Sequence, residues 1–171
     1  MASPISLDSV APENFVYEWL KDSGGDYELM VDGSLESQIF SYTVPNGKTF
    51  YLSRINFNIV DGSMIPTKFA GLTALGANGC EFYIEDADSN TVLDFTDGKL
   101  LSDNSDFAPL AGTDSIVIAA SGDDALPVRF TINKAGKYMR LPEGYKIVFT
   151  VNDDLSTVTK FHVMVQGILT S

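Results

Sequence analysis

From Gln38 onward the chain is cut at short intervals by turn-forming residues, and apolar and polar residues alternate between the cuts. The cuts are Pro45-Asn46-Gly47, Asp86-Ala87-Asp88-Ser89-Asn90, Ser121-Gly122-Asp123, Ala135-Gly136, Pro142-Glu143-Gly144 and Asn152-Asp153-Asp154. Val128, Phe130 and Ile132 alternate with other residues, as do Ile147, Phe149 and Val151, and Phe161, Val163 and Val165. A period of two puts one side of a strand against a core and the other against water. The pattern predicts about eight short strands with turn chemistry between them, the spacing of a sandwich. No long segment of this region keeps a helical period, and the crossover helices of a parallel sheet are missing. The expected fold is all-β, an antiparallel jelly-roll-like β-sandwich over residues 36–171, preceded by an N-terminal arm over 1–35.

Two local features sharpen this expectation. Residues 50–60 form the longest strand, but their alternation breaks. Tyr51, Ile55, Phe57 and Ile59 share one face, with Arg54, Asn56 and Asn58 on the other, while Phe50 and Leu52 fall on the polar side. A twist or bulge near Ser53 accounts for the change of phase. Residues 81–84 and 91–95 flank the Asp86–Asn90 cluster and read as a β-hairpin. Two long loops, 61–79 and 97–113, interrupt the strands. The first carries Met64, Ile65, Phe69, Leu72 and Leu75, an apolar content that fits packing on a partner.

The arm holds the sole tryptophan of the sequence. Phe15, Val16, Trp19 and Leu20 fall on one face of a short helix. Alternatively, 17–20 and 27–31 are short strands joined by the turn at Ser23-Gly24-Gly25-Asp26. Either form needs something to pack on, its own body or a neighbour.

Charge excludes several functions. Among 171 residues there are 23 acids and 11 bases, a net charge of −12. Residues 1–60 hold eight acids and three bases (−5), 61–124 twelve and two (−10), and 125–171 three and six (+3). Such a chain repels a phosphate backbone, so no nucleic-acid partner is expected. The basic cluster Lys134, Lys137, Arg140 and Lys146 suits an acidic loop of a neighbouring subunit, or edge charges that discourage aggregation. No stretch approaches the ~20 apolar residues of a spanning helix, so no membrane partner is expected. The start, Met1-Ala2-Ser3-Pro4, lacks the charged and apolar regions of a signal peptide, which points to synthesis in a cytosol.

Catalytic and metal chemistry find little support. Cys80 and His162 stand as one residue each, too few for a disulfide framework or a Cys/His zinc site. His162, between Phe161 and Val163, reads as a plain strand residue, and Cys80 as a small buried one. Asp86, Asp88, Asn90, Asp94 and Asp97 imitate the ligand spacing of a calcium loop. Thr91 stands where that loop wants glycine, and a hairpin turn accounts for the cluster without metal. There is no Gly-rich phosphate loop. No cofactor and no enzymatic activity are expected.

The run Val31-Asp32-Gly33-Ser34, then Ile39-Phe40-Ser41-Tyr42-Thr43-Val44-Pro45-Asn46-Gly47-Lys48-Thr49-Phe50-Tyr51-Leu52-Ser53-Arg54-Ile55-Asn56-Phe57, and later Leu72-Thr73-Ala74-Leu75-Gly76-Ala77-Asn78-Gly79, resembles small β-sandwich virion structural proteins of tailed bacteriophages over residues 24–168. Such proteins include head-decoration (cement) proteins and fibre, neck and tail components. The resemblance implies a virion protein made in the host cytoplasm. Its partners would be the major capsid protein or another virion protein, and it would form a homotrimer or other homo-oligomer. It transfers no catalytic residues. The candidate partner-binding residues are Phe15, Tyr17, Trp19 and Leu20 in the arm, Met64, Ile65, Phe69 and Leu72 in the first loop, and Lys134, Lys137 and Arg140 near the end. A carbohydrate-binding sandwich is the competing class, with Tyr17, Trp19, Tyr27 and Tyr138 as its aromatic candidates.

Overall fold

A computed structural model of the chain describes residues 15–60, 72, 75–96, 100–101, 114–117, 125–132 and 138–171. The described residues form ten strands and no helix. They are β1 (Phe15–Trp19), β2 (Gln38–Thr43), β3 (Thr49–Val60), β4 (Cys80–Glu85), β5 (Thr91–Asp94), β6 (Asp114–Val117), β7 (Ala125–Thr131), β8 (Met139–Leu141), β9 (Lys146–Val151) and β10 (Lys160–Thr170). All pair antiparallel. One sheet has the order β1-β10-β3-β7-β6, and β8 also lies on β3; the other has the order β2-β9-β4-β5. β8 covers Phe50–Leu52 and β7 covers Arg54–Val60, so the two follow one another along one edge of β3.

The alternating residues explain why the sheets face each other. Phe57 on β3 meets Phe82 on β4 and Phe149 on β9, with ring centroids 5.2 and 5.8 Å apart. Phe149 in turn meets Phe161 of β10 at 5.3 Å. These contacts tie the two sheets through edge-to-face rings, the favoured aromatic geometry. Phe40, Phe50, Ile55, Ile84, Ile147, Val163 and Val165 complete the core.

The bulge sits where the alternation breaks. Gln166 pairs with Arg54 and Gly167 with Leu52, which leaves Ser53 as the extra residue. Phe50 and Leu52 are thereby buried along with Ile55, Phe57 and Ile59. The hydroxyl and carbonyl of the extra residue are satisfied. The Ser53 hydroxyl donates to the Gln166 carbonyl at 3.1 Å, and the Ser53 carbonyl accepts the Ile132 N–H at 2.8 Å. Opposite, Gly167 has no room for a side chain. A Cβ there would overlap the Tyr51 carbonyl oxygen and stand 2.8 Å from Phe50 ring carbons. Gly167→Ala is expected to cost about 1–3 kcal/mol, read from the shift of the urea midpoint.

Residues 15–34 pack on the body of the chain, one of the two placements expected for the arm. Phe15–Trp19 is a strand, and its ladder partner is β10, not residues 27–31. The Leu29 N–H donates to the Phe161 carbonyl at 2.9 Å, and the Val31 carbonyl accepts the Leu155 N–H at 2.8 Å. Leu20 and Leu29 are both 0% exposed and belong to the core. A strand prevails over a helix here because the edge of β10 supplies hydrogen bonds that so short a helix lacks.

Candidate functional site

The expected hairpin forms, and its acidic turn is used internally. The Asp86 carboxylate accepts the Asp88 and Asn90 N–H groups, each at 2.9 Å. It also accepts the Asn90 side-chain amide at 3.1 and 3.2 Å. The bonds from Asn90, backbone first, hold the Asp86 pKa below its ordinary value. Asp94 likewise accepts the Thr96 N–H at 2.8 Å and its hydroxyl at 2.7 Å. Two of the carboxylates expected as calcium ligands, Asp86 and Asp94, thus receive donors from their own turns. Among the described residues no group of three or more His, Cys, Asp or Glu is placed to hold a metal; Asp97 lies outside them.

The outer face of the β2-β9-β4-β5 sheet is acidic. A shallow cleft of about 280 Å³ is lined by Glu81, Tyr83, Glu85, Thr91, Asp94 and Thr96. Lys146 reaches Glu85 at 3.4 Å, and Tyr83 shares a 3.5 Å contact with Thr150 between their hydroxyls. The alternation Glu81-x-Tyr83-x-Glu85 is the one signal of this face in the sequence.

The outer face of the other sheet gathers aromatic residues. Phe15, Tyr17 and Trp19 alternate along β1, and the Phe15 and Tyr17 rings meet edge to face at 5.3 Å. Trp19 stacks on Tyr27 at 5.5 Å. The His162 imidazole meets both, at 5.5 Å from Trp19 and 5.1 Å from Tyr27. Tyr17 is the open member of the group, 61% exposed. His162 is 8% exposed, and its Nε2 has no hydrogen-bond partner among the described residues. Burial lowers its pKa, Lys160 lowers it further, and Glu28 and Asp26 act in opposition. A histidine more acidic when folded than when unfolded loses stability as the pH falls through the unfolded value, about 6.5. The wild-type melting temperature is expected to fall between about pH 7.5 and 5.5, and His162→Gln is expected to flatten that slope in a pH series of thermal melts.

Of the candidate partner-binding residues, the structure brings Phe15, Tyr17 and Trp19 together. Leu20 is fully buried, and Leu72 is half-buried against the core. Arg140 is exposed on β8, paired with Tyr51. It lies on the opposite sheet from the acidic cleft. Met64, Ile65, Phe69, Lys134 and Lys137 lie outside the described residues. Cys80 is buried, and burial followed by the nearby Asp153 carboxylate raises its thiol pKa far above the ordinary value.

No protein-family model, no curated protein and no solved structure matches the chain. The functional reading rests on the chain's own residues.

Proposed function

We propose that this chain is a non-enzymatic structural protein of a bacteriophage virion, a decoration or cement protein that binds the capsid lattice and self-associates. The observation that carries this reading is a two-sheet sandwich whose N-terminal strand sets a row of aromatic side chains along its own edge. That is a surface suited to docking rather than to turnover. The jelly-roll form belongs to the same reading. The orders β1-β10-β3-β7 and β2-β9-β4-β5 fit two Greek keys folded together, an architecture that capsid and lectin domains share. The sequence resemblance over residues 24–168 adds support. The potential nucleophile and base are ill placed for chemistry: the Cys80 thiol is buried, and His162 is enclosed by rings.

The partners on this reading are the major capsid protein or another virion protein, with further copies of the chain. The test is quantitative mass spectrometry of purified virions. Copies equal to the major capsid protein, or a simple fraction of it, support decoration. Far fewer copies assign the chain to the fibre, neck or tail, and absence from the particle overturns the virion reading. The Trp19–Tyr27 stack beside exposed Tyr17 favours one second reading, a carbohydrate-binding module, because sugars stack on such rings. A silent glycan array removes it.

A further inference from the structure

We infer that the open edge of β1 is a twofold contact between two copies of this chain, paired strand to strand about Tyr17. This deepens the self-association within the proposed function, and it is tested on the purified chain, apart from any virion.

The hydrogen-bonding phase of β1 carries the inference. The Leu20 N–H donates to the Val163 carbonyl at 3.0 Å. The register pairs Glu18 with Val165 and Val16 with Gly167. In an antiparallel ladder bonded pairs alternate with non-bonded ones. Val16, Glu18 and Leu20 therefore spend their backbone groups on β10. The N–H and C=O groups of Phe15, Tyr17 and Trp19 point away from it, and no other described strand pairs with that edge.

The other edges are blunted or short. β2 is closed at Ser41, where Lys21 exchanges two backbone bonds of 3.0 and 2.8 Å. β5 has four residues and pairs through a register shift. β6 also has four residues. β1 lacks the lysine, proline or bulge by which edge strands commonly avoid pairing.

The occupant follows from self-complementarity. Place a second β1 antiparallel to the first with Tyr17 opposite Tyr17. Phe15 then faces Trp19 of the partner subunit, and Glu18 faces Val16 of the partner subunit. The outward-pointing residues are 15, 17 and 19, a set symmetric about 17, so every outward N–H and C=O meets a complementary group. The aromatic side chains fall opposite one another on one face, which favours pairing. The one charge on the strand meets an apolar residue and not its own copy. The two β1-containing sheets become one continuous sheet.

The whole molecules, each at −12, repel one another. Salt screens that repulsion and leaves backbone bonds and ring contacts in place, so this dimer strengthens with salt. A contact between the acidic cleft of one copy and a basic segment of the next would weaken instead.

Sedimentation of the full-length chain from about 1 to 200 µM, at low and high salt, reads the equilibrium. A monomer–dimer equilibrium that tightens several-fold, roughly threefold or more, with salt is expected. Tyr17→Pro removes an outward N–H, a change an edge strand tolerates. It is expected to weaken the dimer at least about tenfold without lowering the melting temperature. Tyr17→Lys, which places like charges on the twofold axis, gives the same result by another route. Tyr17→Cys is expected to give a disulfide-linked dimer on mild oxidation. Bonded antiparallel partners stand about 5.5 Å apart between Cα atoms, within disulfide reach. Glu18→Cys, which faces Val16 of the partner subunit, is expected to form no disulfide-linked dimer, and buried Cys80 serves as the internal control. A monomer at every concentration overturns the inference. So does a dimer or trimer that survives both Tyr17→Pro and Tyr17→Lys, or one that weakens with salt. Copies per virion test the virion reading separately.

Discussion

A chain lacking residues 1–30 is expected not to fold. The deletion removes β1, Leu20 and Leu29. Each of these leucines is fully buried and contributes about 1.5–3 kcal/mol by leaving water. β10 loses its β1 ladder, and the Phe161 carbonyl loses the Leu29 N–H. The half-buried side chains of Val16 and Met30 leave the core margin as well. Against a total stability of about 5–15 kcal/mol, these losses leave little or nothing. Circular dichroism and a thermal melt of the truncated chain check this, and a cooperative transition near the wild-type temperature would refute it. The consequence for function is practical. A truncation that abolishes attachment would report unfolding, whereas Tyr17→Pro separates docking from folding.

Phe57→Ala is expected to cost about 3–5 kcal/mol, the usual range for a buried phenylalanine. Phe57 is 1% exposed and touches the rings of Phe82 and Phe149 across the sandwich and of Phe161 beside it. Its removal opens a cavity bounded by rings from both sheets, which cannot collapse without moving one sheet against the other. Phe15→Ala at the half-buried edge is the control and is expected to cost about 1 kcal/mol or less. Urea denaturation of both variants gives the comparison.

The parts of this fold that were legible in the sequence are those written in local patterns. The alternation of Val163 and Val165 or Ile147 and Phe149 marked the sheets, because period two has one structural meaning. Phe50 and Leu52, out of phase with Ile55 and Phe57, mark the bulge at Ser53. The Asp86–Asn90 cluster marked its hairpin, and the loop's own N–H groups explain why it is acidic. What escaped was non-local. Phe15-Val16-Tyr17-Glu18-Trp19 fits both a helix face and a strand, and the deciding partner, β10, comes from the other end of the chain. Leu20 and Leu29 looked like arm residues because nothing adjacent to them in sequence names the core they enter. The meeting of Trp19, Tyr27 and His162 has the same cause: three distant residues share a face once β1 lies on β10.

That meeting gives the protein a built-in optical probe. Trp19 is the sole tryptophan, so its fluorescence comes from one place, the seam where the N-terminal segment lies on the sheet. The stacked tyrosine and the imidazole at its edge set the colour and yield of that emission. Lifting β1 alone, with Leu20 and Leu29 still in the core, would change the signal while circular dichroism still recorded intact sheets. Coincident traces during unfolding would mean that the seam and the sandwich melt as one cooperative unit. An early change in emission would mean that the N-terminal segment peels first, so that the docking edge could be withdrawn while the body stays folded.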